Sequence, residues 1–221
     1  MPSCFPIETA DPVLGLKAGK YLGLLSHSGS RSLGAAIANH YTRIARAKRR
    51  LPGEVRHMAW LSLDEEEGME YWLAMNLAGD YATACHQVIH DKLASALGRR
   101  PVRRVENHHN FAWKEEHEGR GLIVHRKGAT PAGKDVLGVI PGSMTAAGYI
   151  VKGKGEPASI SSASHGAGRK MSRTAASNSI SEDRFKEALE ANGVRLIGGG
   201  LDEAPQAYKD IREVMKSQRQ L

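Results

Sequence analysis

One histidine lies inside a run of small residues that ends in an arginine: residues 162–169 have the sequence Ser-Ala-Ser-His-Gly-Ala-Gly-Arg. Small residues let backbone N–H groups approach a ligand closely, and a guanidinium can hold a phosphate through two hydrogen bonds. An imidazole in this setting can act on phosphate as a base or as a nucleophile that forms a phosphoramidate. His165 is therefore the first candidate for a catalytic residue.

Two further histidine clusters precede this motif in the chain. His27 opens the sequence His-Ser-Gly-Ser-Arg, which ends at Arg31, and His-His-Asn spans residues 108–110. A histidine at a strand end suits a metal ion or a phosphate, although a buried histidine bonded to backbone is the commoner case. His108 and His109 point to opposite faces if they lie on a strand, so we expect one of them to face a site.

Three more polar turns complete the set of candidate phosphate contacts. They are a cationic turn at residues 125–131, a Pro-Gly-Ser-Met turn at 141–144, and the Tyr-Lys-Asp triplet at 208–210. Each alone is also typical of an ordinary surface turn or helix face. Together with the histidines, they indicate a metal-dependent site for phosphoryl or nucleotidyl transfer. The sequence contains no Gly-x-x-x-x-Gly-Lys-Ser/Thr phosphate-binding loop.

The composition is that of an ordinary globular protein with an excess of basic residues. The 221 residues include 31 lysines and arginines against 24 acidic residues, a formal net charge of +7. This balance favours polyanionic partners, although the basic clusters at 46–50 and 99–104 are equally typical of solvated helix ends. Two cysteines predict a reducing, cytoplasmic location rather than a disulfide framework. The lack of a long apolar run predicts no membrane partner.

The first half of the chain has the pattern of helices. Residues 22–26 form a short apolar run that predicts a buried strand ending before His27. Apolar residues at helical spacing then predict helices at residues 33–50 and 69–97.

The second half of the chain begins with the pattern of short strands. These strands, broken by glycine and proline, are expected over residues 102–151. A serine- and glycine-rich stretch at 159–181 could be a linker, but the histidine and arginines within it favour a ligand-binding loop. Helices are expected at 184–192 and from Pro205 onward, the last one including Tyr208.

In this order, the motifs resemble those of RtcB-type RNA ligases, which join RNA 3′-phosphate or 2′,3′-cyclic phosphate ends to 5′-hydroxyl ends. The resemblance runs from about residue 22 to the end of the chain. It rests on six segments in the family's order, at residues 27–31, 109–110, 125–130, 141–144, 164–169 and 208–211.

The resemblance implies an α+β fold with a mixed β core and packed helices that lacks the family's amino-terminal part. We therefore expect a truncated ligase domain at residues 21–221, after a weakly structured segment at 1–20.

The resemblance also implies a role for each matching residue. His165 would take GMP from GTP as a histidine–GMP phosphoramidate, and the GMP would then pass to the RNA 3′-phosphate and be displaced by the 5′-hydroxyl. His27 and His109 would each bind one of two manganese ions, and Arg31 and Arg169 would contact RNA phosphates. The residues implied to contact the guanylate are Asn110, Pro141, Gly142, Ser143, Met144, Gly166, Ala167, Gly168 and Lys209. The implied process is RNA repair or tRNA splicing.

The chain departs from the family in two motifs that supply metal ligands. Family members are longer and carry an upstream Asp-x-Gly-Cys motif and a Gly-Asn-His-Phe-x-Glu motif, neither of which occurs here. One hypothesis is that a separate amino-terminal ligase fragment supplies the missing ligands. Another is that the chain is a non-catalytic remnant that binds RNA or nucleotide. A metal-dependent phosphatase or nuclease is a third alternative, but it leaves the motif around His165 together with Lys209 unexplained.

Overall fold

The structure, a computed structural model, describes residues 4–7 and 10–221, and it divides into two compact units, Met1–Arg104 and Val105–Leu221. The α-helices are α1 (Arg31–Lys48), α2 (Glu66–Ala96), α3 (Arg173–Ser179), α4 (Glu182–Ala191) and α5 (Ile211–Ser217). The strands are β1 (Cys4–Ile7), β2 (Gly19–Leu22), β3 (Asn110–His117), β4 (Arg120–Lys127), β5 (Ala129–Pro131), β6 (Leu137–Ile140), β7 (Tyr149–Lys152) and β8 (Ser162–Ser164). This mixture of helix and strand confirms the α+β class, whereas the domain limits at residues 20 and 21 stay a prediction.

Helices α1 and α2 make up most of the first unit and pack against each other. The helices predicted from apolar spacing at residues 33–50 and 69–97 are confirmed as α1 and α2. Two ion pairs join the end of α1 to the start of α2, with 2.5 Å between Lys48 Nζ and Glu67 Oε2 and 2.6 Å between Arg49 Nη2 and Glu65 Oε1. Part of the basic cluster at 46–50 is thus occupied by carboxylates of the same unit. In the described part of the chain, no helix is both long and apolar enough to cross a membrane.

The buried strand predicted at residues 22–26 is wrong. Strand β2 ends at Leu22, where it pairs with β1, and residues 23–30 have no regular secondary structure. Leu24 and Leu25 are 45% and 64% exposed. An apolar run becomes a buried strand only where another strand or a core accepts it, and the short pattern at this position carries no information about such a partner.

The second unit is built from antiparallel strand pairs. Strands β3 and β4 form a hairpin that pairs Asn110 with Lys127 at its open end. At the closed end, Glu118 and Gly119 have φ values of 51° and 72°, the left-handed pair that a tight two-residue hairpin turn requires. Strand β6 pairs with β7, and β5 pairs with β8 so that Ala129 faces Ser164. The strands predicted over residues 102–151 are confirmed.

Two hydrophobic clusters form the core of the second unit. The first lies around α3 and α4, and its buried members are Ala176, Ile180, Phe185, Leu189, Ala204 and Ala207. The second joins β6 and α5 to the histidine motif through Ile140, Ala167 and Ile211. The hydroxyls of Ser172 and Ser181 accept hydrogen bonds from the first turns of α3 and α4, which is the usual way to satisfy free N–H groups at a helix start.

The end of the chain differs from the prediction in one respect. Pro205–Ala207 forms a short 3-10 helix, and α5 begins only at Ile211. Tyr208 therefore lies outside the helix, because its backbone pairs with Arg169 in an isolated antiparallel bridge. The carboxylate of Asp210 accepts the Arg212 N–H at 2.9 Å and so starts α5 at the next residue.

Candidate active site

The histidine motif begins on a strand and continues as a loop with two structural glycines. Strand β8 ends at Ser164, and the Ser164 hydroxyl donates to the carbonyl oxygen of Gly166 at 2.7 Å, which turns the chain directly after His165. A Cβ atom at Gly166 would lie 3.2 Å from the Pro141 carbonyl oxygen, and Gly168 has a φ of 70°. Both positions therefore favour glycine, in agreement with the expected ligand-binding loop.

The side chain of His165 is held in one orientation by the backbone of Gly128. Its Nδ1 lies 2.7 Å from the Gly128 carbonyl oxygen, and its backbone N–H donates to the same oxygen at 3.4 Å. A carbonyl oxygen only accepts, so Nδ1 carries the proton and Nε2 carries the lone pair in the neutral imidazole. This is the tautomer that a nucleophilic histidine attacking through Nε2 requires.

His109 lies next to His165 in the same unit. The two ring centroids are 5.0 Å apart, and the carbonyl oxygen of His109 accepts the N–H of Gly128 at 3.0 Å. Gly128 has a φ of 76°, and a Cβ atom there would lie 3.6 Å from the His165 ring. Gly128 thus links the two histidines through its backbone. Asn110 follows as the exposed first residue of β3.

Two other predicted segments converge on the loop after His165. The N–H of Ala167 donates to the Pro141 carbonyl oxygen at 3.0 Å, which attaches the Pro-Gly-Ser-Met turn to this loop. The N–H of Lys209 donates to the Gly168 carbonyl oxygen, also at 3.0 Å, and the Lys209 side chain is exposed. The side chain of Met144 packs against the first hydrophobic cluster, so its backbone is the part available to a ligand.

The turn at residues 141–144 has no room for a side chain at Gly142. A Cβ atom there would lie 2.5 Å from the Ala147 carbonyl oxygen, whereas one at Gly148 would meet only ordinary contacts, the nearest at 3.5 Å from Pro141 Cα. We expect Gly142→Ala to lower the free energy of unfolding by about 1–3 kcal/mol, because the backbone must move apart. Gly148→Ala is the matched control and should be neutral or slightly stabilising. Urea denaturation of both variants measures this difference, and equal midpoints would contradict the prediction.

Asn107 is a positioning residue to which the sequence pattern assigned no role. Its Nδ2 donates to the Thr130 hydroxyl at 2.7 Å and to the Val139 carbonyl oxygen at 3.2 Å, and its Oδ1 accepts the Val139 N–H at 3.1 Å. Thr130 is 1% exposed and donates to the carbonyl oxygen of His108 at 3.2 Å. Asn107 therefore joins β5 and β6 two residues before His109. The only feature of the sequence that could have indicated this role is the position of Asn107 directly before the two histidines, in Asn-His-His-Asn at residues 107–110.

Arg126 is buried. A phosphate-binding turn at residues 125–131 would require its side chain to extend into solvent. Arg126 is 3% exposed, and its Nη1 and Nη2 donate to the two carboxylate oxygens of Glu115 at 2.5 and 2.8 Å. Its guanidinium stacks over Trp113 at 5.0 Å from the ring centroid and also donates to Ser162 Oγ at 2.8 Å and to the Ile160 carbonyl oxygen at 3.0 Å. The Arg126 guanidinium lowers the pKa of Glu115 below its ordinary value. Arg126 thus anchors the segment that leads into β8.

Arg169 is also engaged within its own unit. Its guanidinium donates to the carbonyl oxygens of Met171, at 3.1 Å, and Asp202, and it lies 5.1 Å from the Tyr208 ring centroid. Glu203 lies 3.6 Å from the same guanidinium and accepts the Tyr208 hydroxyl. These contacts hold the end of the histidine loop, and an RNA phosphate would share or displace them.

The predicted site residues of the first unit lie at the start of α1. His27 is exposed in the irregular segment at 23–30, and Arg31 is the first residue of α1, with a left-handed φ of 55°. Two histidines of α2 attach this segment: His90 Nε2 lies 2.7 Å from Ser26 Oγ, and His86 Nε2 lies 3.0 Å from the Ser28 carbonyl oxygen. Because these bonds flank His27 on both sides, they fix the backbone that presents it.

The residues that the structure describes do not by themselves fit a manganese site. Among the side chains that the structure describes, no three from histidine, cysteine, aspartate or glutamate converge to hold an ion. Imidazole suits manganese, but protein metal sites generally need at least three ligands. His27 and His109 are therefore incomplete as ligand sets, in line with the two motifs that the sequence lacks.

Comparison with known proteins identifies the family. The sequence model of the family described as tRNA-splicing ligase RtcB matches residues 7–221. The chain is 35% identical over 213 residues to the RNA-splicing ligase RtcB of Escherichia coli, an alignment that covers 90% of this chain and 52% of that protein. It is 32% identical over 254 residues to the tRNA-splicing ligase RtcB of Thermococcus kodakarensis, covering 95% of this chain and 52% of that protein.

The chain belongs to the RtcB family. It spans about half the length of these two relatives and 28% of the tRNA-splicing ligase RtcB of Pyrococcus abyssi. The match includes the site described above, because residues 7–221 contain every residue to which the sequence assigned a role.

Proposed function

We propose that this chain carries the guanylyl-transfer centre of a GTP- and manganese-dependent RNA ligase, with His165 as its nucleophile. The hydrogen bond from His165 Nδ1 to the Gly128 carbonyl oxygen is the observation that carries the proposal, because it leaves the Nε2 lone pair available. Nε2 forms a bond to the α-phosphorus of GTP, the bond from that phosphorus to the bridging oxygen breaks, and pyrophosphate leaves. The product is a histidine–GMP phosphoramidate.

Two further transfers complete the proposed reaction. An oxygen of the RNA 3′-phosphate attacks the phosphorus of the bound GMP and releases His165. The RNA 5′-hydroxyl then attacks the activated 3′-phosphate, GMP leaves, and the hydroxyl proton goes to solvent or to a nearby base. The proposed substrates are RNAs with 3′-phosphate and 5′-hydroxyl ends, in RNA repair or tRNA splicing. The two cysteines, with Cys85 unpaired, favour a cytoplasmic location for this work.

Within the proposal, the loop around His165 supplies the guanylate contacts. The loop after His165 bonds to the Pro-Gly-Ser-Met turn through the Ala167 N–H and the Pro141 carbonyl oxygen, and to Lys209 through the Gly168 carbonyl oxygen. Lys209, bonded through its backbone to Gly168, carries an exposed ammonium group that suits a phosphate. Asn110 offers an amide donor and acceptor beside His109. These groups would orient the nucleotide for attack by Nε2.

Manganese enters the proposal only as a Lewis acid that would neutralise charge on the phosphates. His27 and His109 are the proposed ligands from this chain, each for one of two manganese ions, and a separate amino-terminal ligase fragment is the proposed source of the others. The alternative is that the chain binds RNA or nucleotide without catalysis. The incomplete ligand sets in the described residues favour that alternative, since a protein manganese site needs more ligands than His27 and His109 supply.

Covalent labelling tests the proposal. The purified chain is incubated with manganese and GTP labelled in the α-phosphate, alone and together with the amino-terminal half of an RtcB ligase. We expect an acid-labile GMP adduct on the chain in at least one of the two mixtures. A chain that stays unlabelled in both, while full-length ligase labels under the same conditions, would support the non-catalytic alternative.

A further inference from the structure

The residue directly before His165 is held by a side chain from the far end of the chain. The N–H of Ser164 donates to Oε1 of Gln218 at 2.8 Å. Strand β8 has only three residues, and it pairs with β5 through residues 129–131. Ser164 ends this strand, and its N–H is held by Gln218 at the point where the chain passes to His165, whose own N–H makes a long bond of 3.4 Å to the Gly128 carbonyl oxygen.

The amide group of Gln218 can make this bond in one orientation only. Its Nε2 lies 3.2 Å from the Sδ atom of Met215, a weak acceptor, so the oxygen is the group that faces the Ser164 N–H. The opposite orientation would place an NH₂ group against an N–H donor. Gln218 is therefore specified as an acceptor, and its orientation is set by Met215 on the same helix.

The packing of helix α5 fixes the position of the Gln218 backbone. Gln218 directly follows the last residue of α5, and Ile211, at the first turn of α5, is 3% exposed in the second hydrophobic cluster with Ile140 and Ala167. Lys209 precedes the same helix and bonds to Gly168. One short helix thus holds both ends of the histidine loop, at Gly168 through Lys209 and at Ser164 through Gln218.

We propose that Gln218 is a positioning residue for His165: by accepting the Ser164 N–H, it holds the end of β8 so that Nδ1 of His165 reaches the Gly128 carbonyl oxygen. Without this acceptor, the Ser164 N–H loses its partner and the end of the strand can move. A shift there lengthens the 2.7 Å bond between Nδ1 and Gly128, and the imidazole then populates both tautomers. The part of this inference that concerns guanylylation rests on the proposed function, whereas the part that concerns the tautomer does not.

The test compares Gln218→Leu, which removes the acceptor, with Gln218→Glu, which keeps an acceptor oxygen at the same distance. Gln206→Leu is the control, since Gln206 bonds to the Arg184 carbonyl oxygen on α4. Two measurements are made on the full chain in alkaline buffer: the tautomer of His165 from its ¹⁵N shifts, and the exchange rate of the Ser164 amide. We expect Gln218→Leu to shift His165 from the Nδ1–H form to a mixture and to speed Ser164 exchange, while the other two variants match wild type.

Labelling with GTP adds the functional readout. We expect Gln218→Leu to slow labelling by roughly tenfold or more, because small displacements of a reacting group are costly, and Gln218→Glu to restore most of the rate. An unchanged His165 tautomer in Gln218→Leu, with faster Ser164 exchange, would overturn the inference and assign Gln218 a purely structural role. If wild type fails to label both alone and with the amino-terminal half of an RtcB ligase, but the tautomer shifts as expected in Gln218→Leu, the proposed function fails and the positioning role stands. Should Gln218→Leu not fold, Gln218→Asn, which is one methylene too short, carries the same expectations.

Discussion

We expect His165→Ala to abolish covalent GMP labelling while the chain stays folded. The substitution removes the only atom proposed to bond to the α-phosphorus, so no residual adduct should form at any concentration of GTP. The cost to stability should be small, about 0.5–1.5 kcal/mol, since one hydrogen bond to the Gly128 carbonyl oxygen is lost at a half-buried position. Labelling is measured under the conditions in which wild type reacts, and folding by circular dichroism.

His57→Ala is the matched control for this experiment. His57 is an exposed histidine in the short 3-10 helix at Gly53–Met58, outside every segment that the sequence assigned to the site. It should keep wild-type labelling. Persistent labelling of His165→Ala would refute the assignment of the nucleophile. Equal loss in both variants would mean that labelling depends on histidine content or folding rather than on the position of His165.

The elements that follow from local pattern were predictable from the sequence. Helices α1 and α2 follow from apolar residues at a spacing of three and four, which depends only on neighbours within two turns. The strands of the second unit follow from glycine and proline at their ends. The prediction of a strand at residues 22–26 was wrong because burial of a short apolar run depends on a partner elsewhere in the chain. In the structure, the side chains that contact this segment at Ser26 and Ser28 are two histidines of α2.

The candidate site could be predicted as a list of residues but not as an arrangement. The local pattern of small and basic residues singled out His165 and Lys209, and the resemblance to the family added Gly168. It did not predict that the Gly128 carbonyl oxygen sets the tautomer of His165, because that contact depends on the register of β5 against β8, 35 residues apart in sequence for Ala129 and Ser164. Gln218 belongs to no motif that was recognised, so no local signal could have found it.

Arg126 shows why a charge in a sequence is a weak indication of a ligand. In the sequence it stands in a compact cationic turn, and its environment there consists of a histidine, a lysine and a glycine. In the structure, the pairing of β3 with β4 places Trp113 and Glu115 on the same face as Arg126. The guanidinium bonds to Glu115 and stacks on Trp113, so it does not extend into solvent. The partner comes from the other strand of the hairpin, and only the register identifies it.

We expect Arg126→Met to destabilise the second unit by about 3 kcal/mol, the lower end of the usual cost of removing one partner from a buried ion pair, because the Glu115 side chain is 23% exposed and keeps its contact with His117. Methionine fills much of the volume, but it leaves the Glu115 carboxylate, the Ser162 hydroxyl and the Ile160 carbonyl oxygen without this donor. Arg120→Met on the same hairpin is the matched control. Arg120 and its partner Glu118 are about three-quarters exposed, so this change should stay within about 0.5 kcal/mol. Urea denaturation followed by circular dichroism measures both, and similar midpoints would contradict the prediction.

The dependence of stability on pH distinguishes loss of the ion pair from simple loss of packing. The guanidinium of Arg126, and secondarily His117, lowers the pKa of Glu115 in the folded chain. A carboxylate with a lowered folded pKa stabilises the protein above its unfolded pKa, and this contribution is lost as the pH falls through the folded pKa. Wild type should therefore lose stability from this pair on acidification below about pH 4.5. In Arg126→Met, the pKa of Glu115 returns toward its ordinary value or above it, so this part of the acid sensitivity should disappear. An unchanged acid profile in the variant would mean that Arg126 stabilises the unit through packing on Trp113 alone.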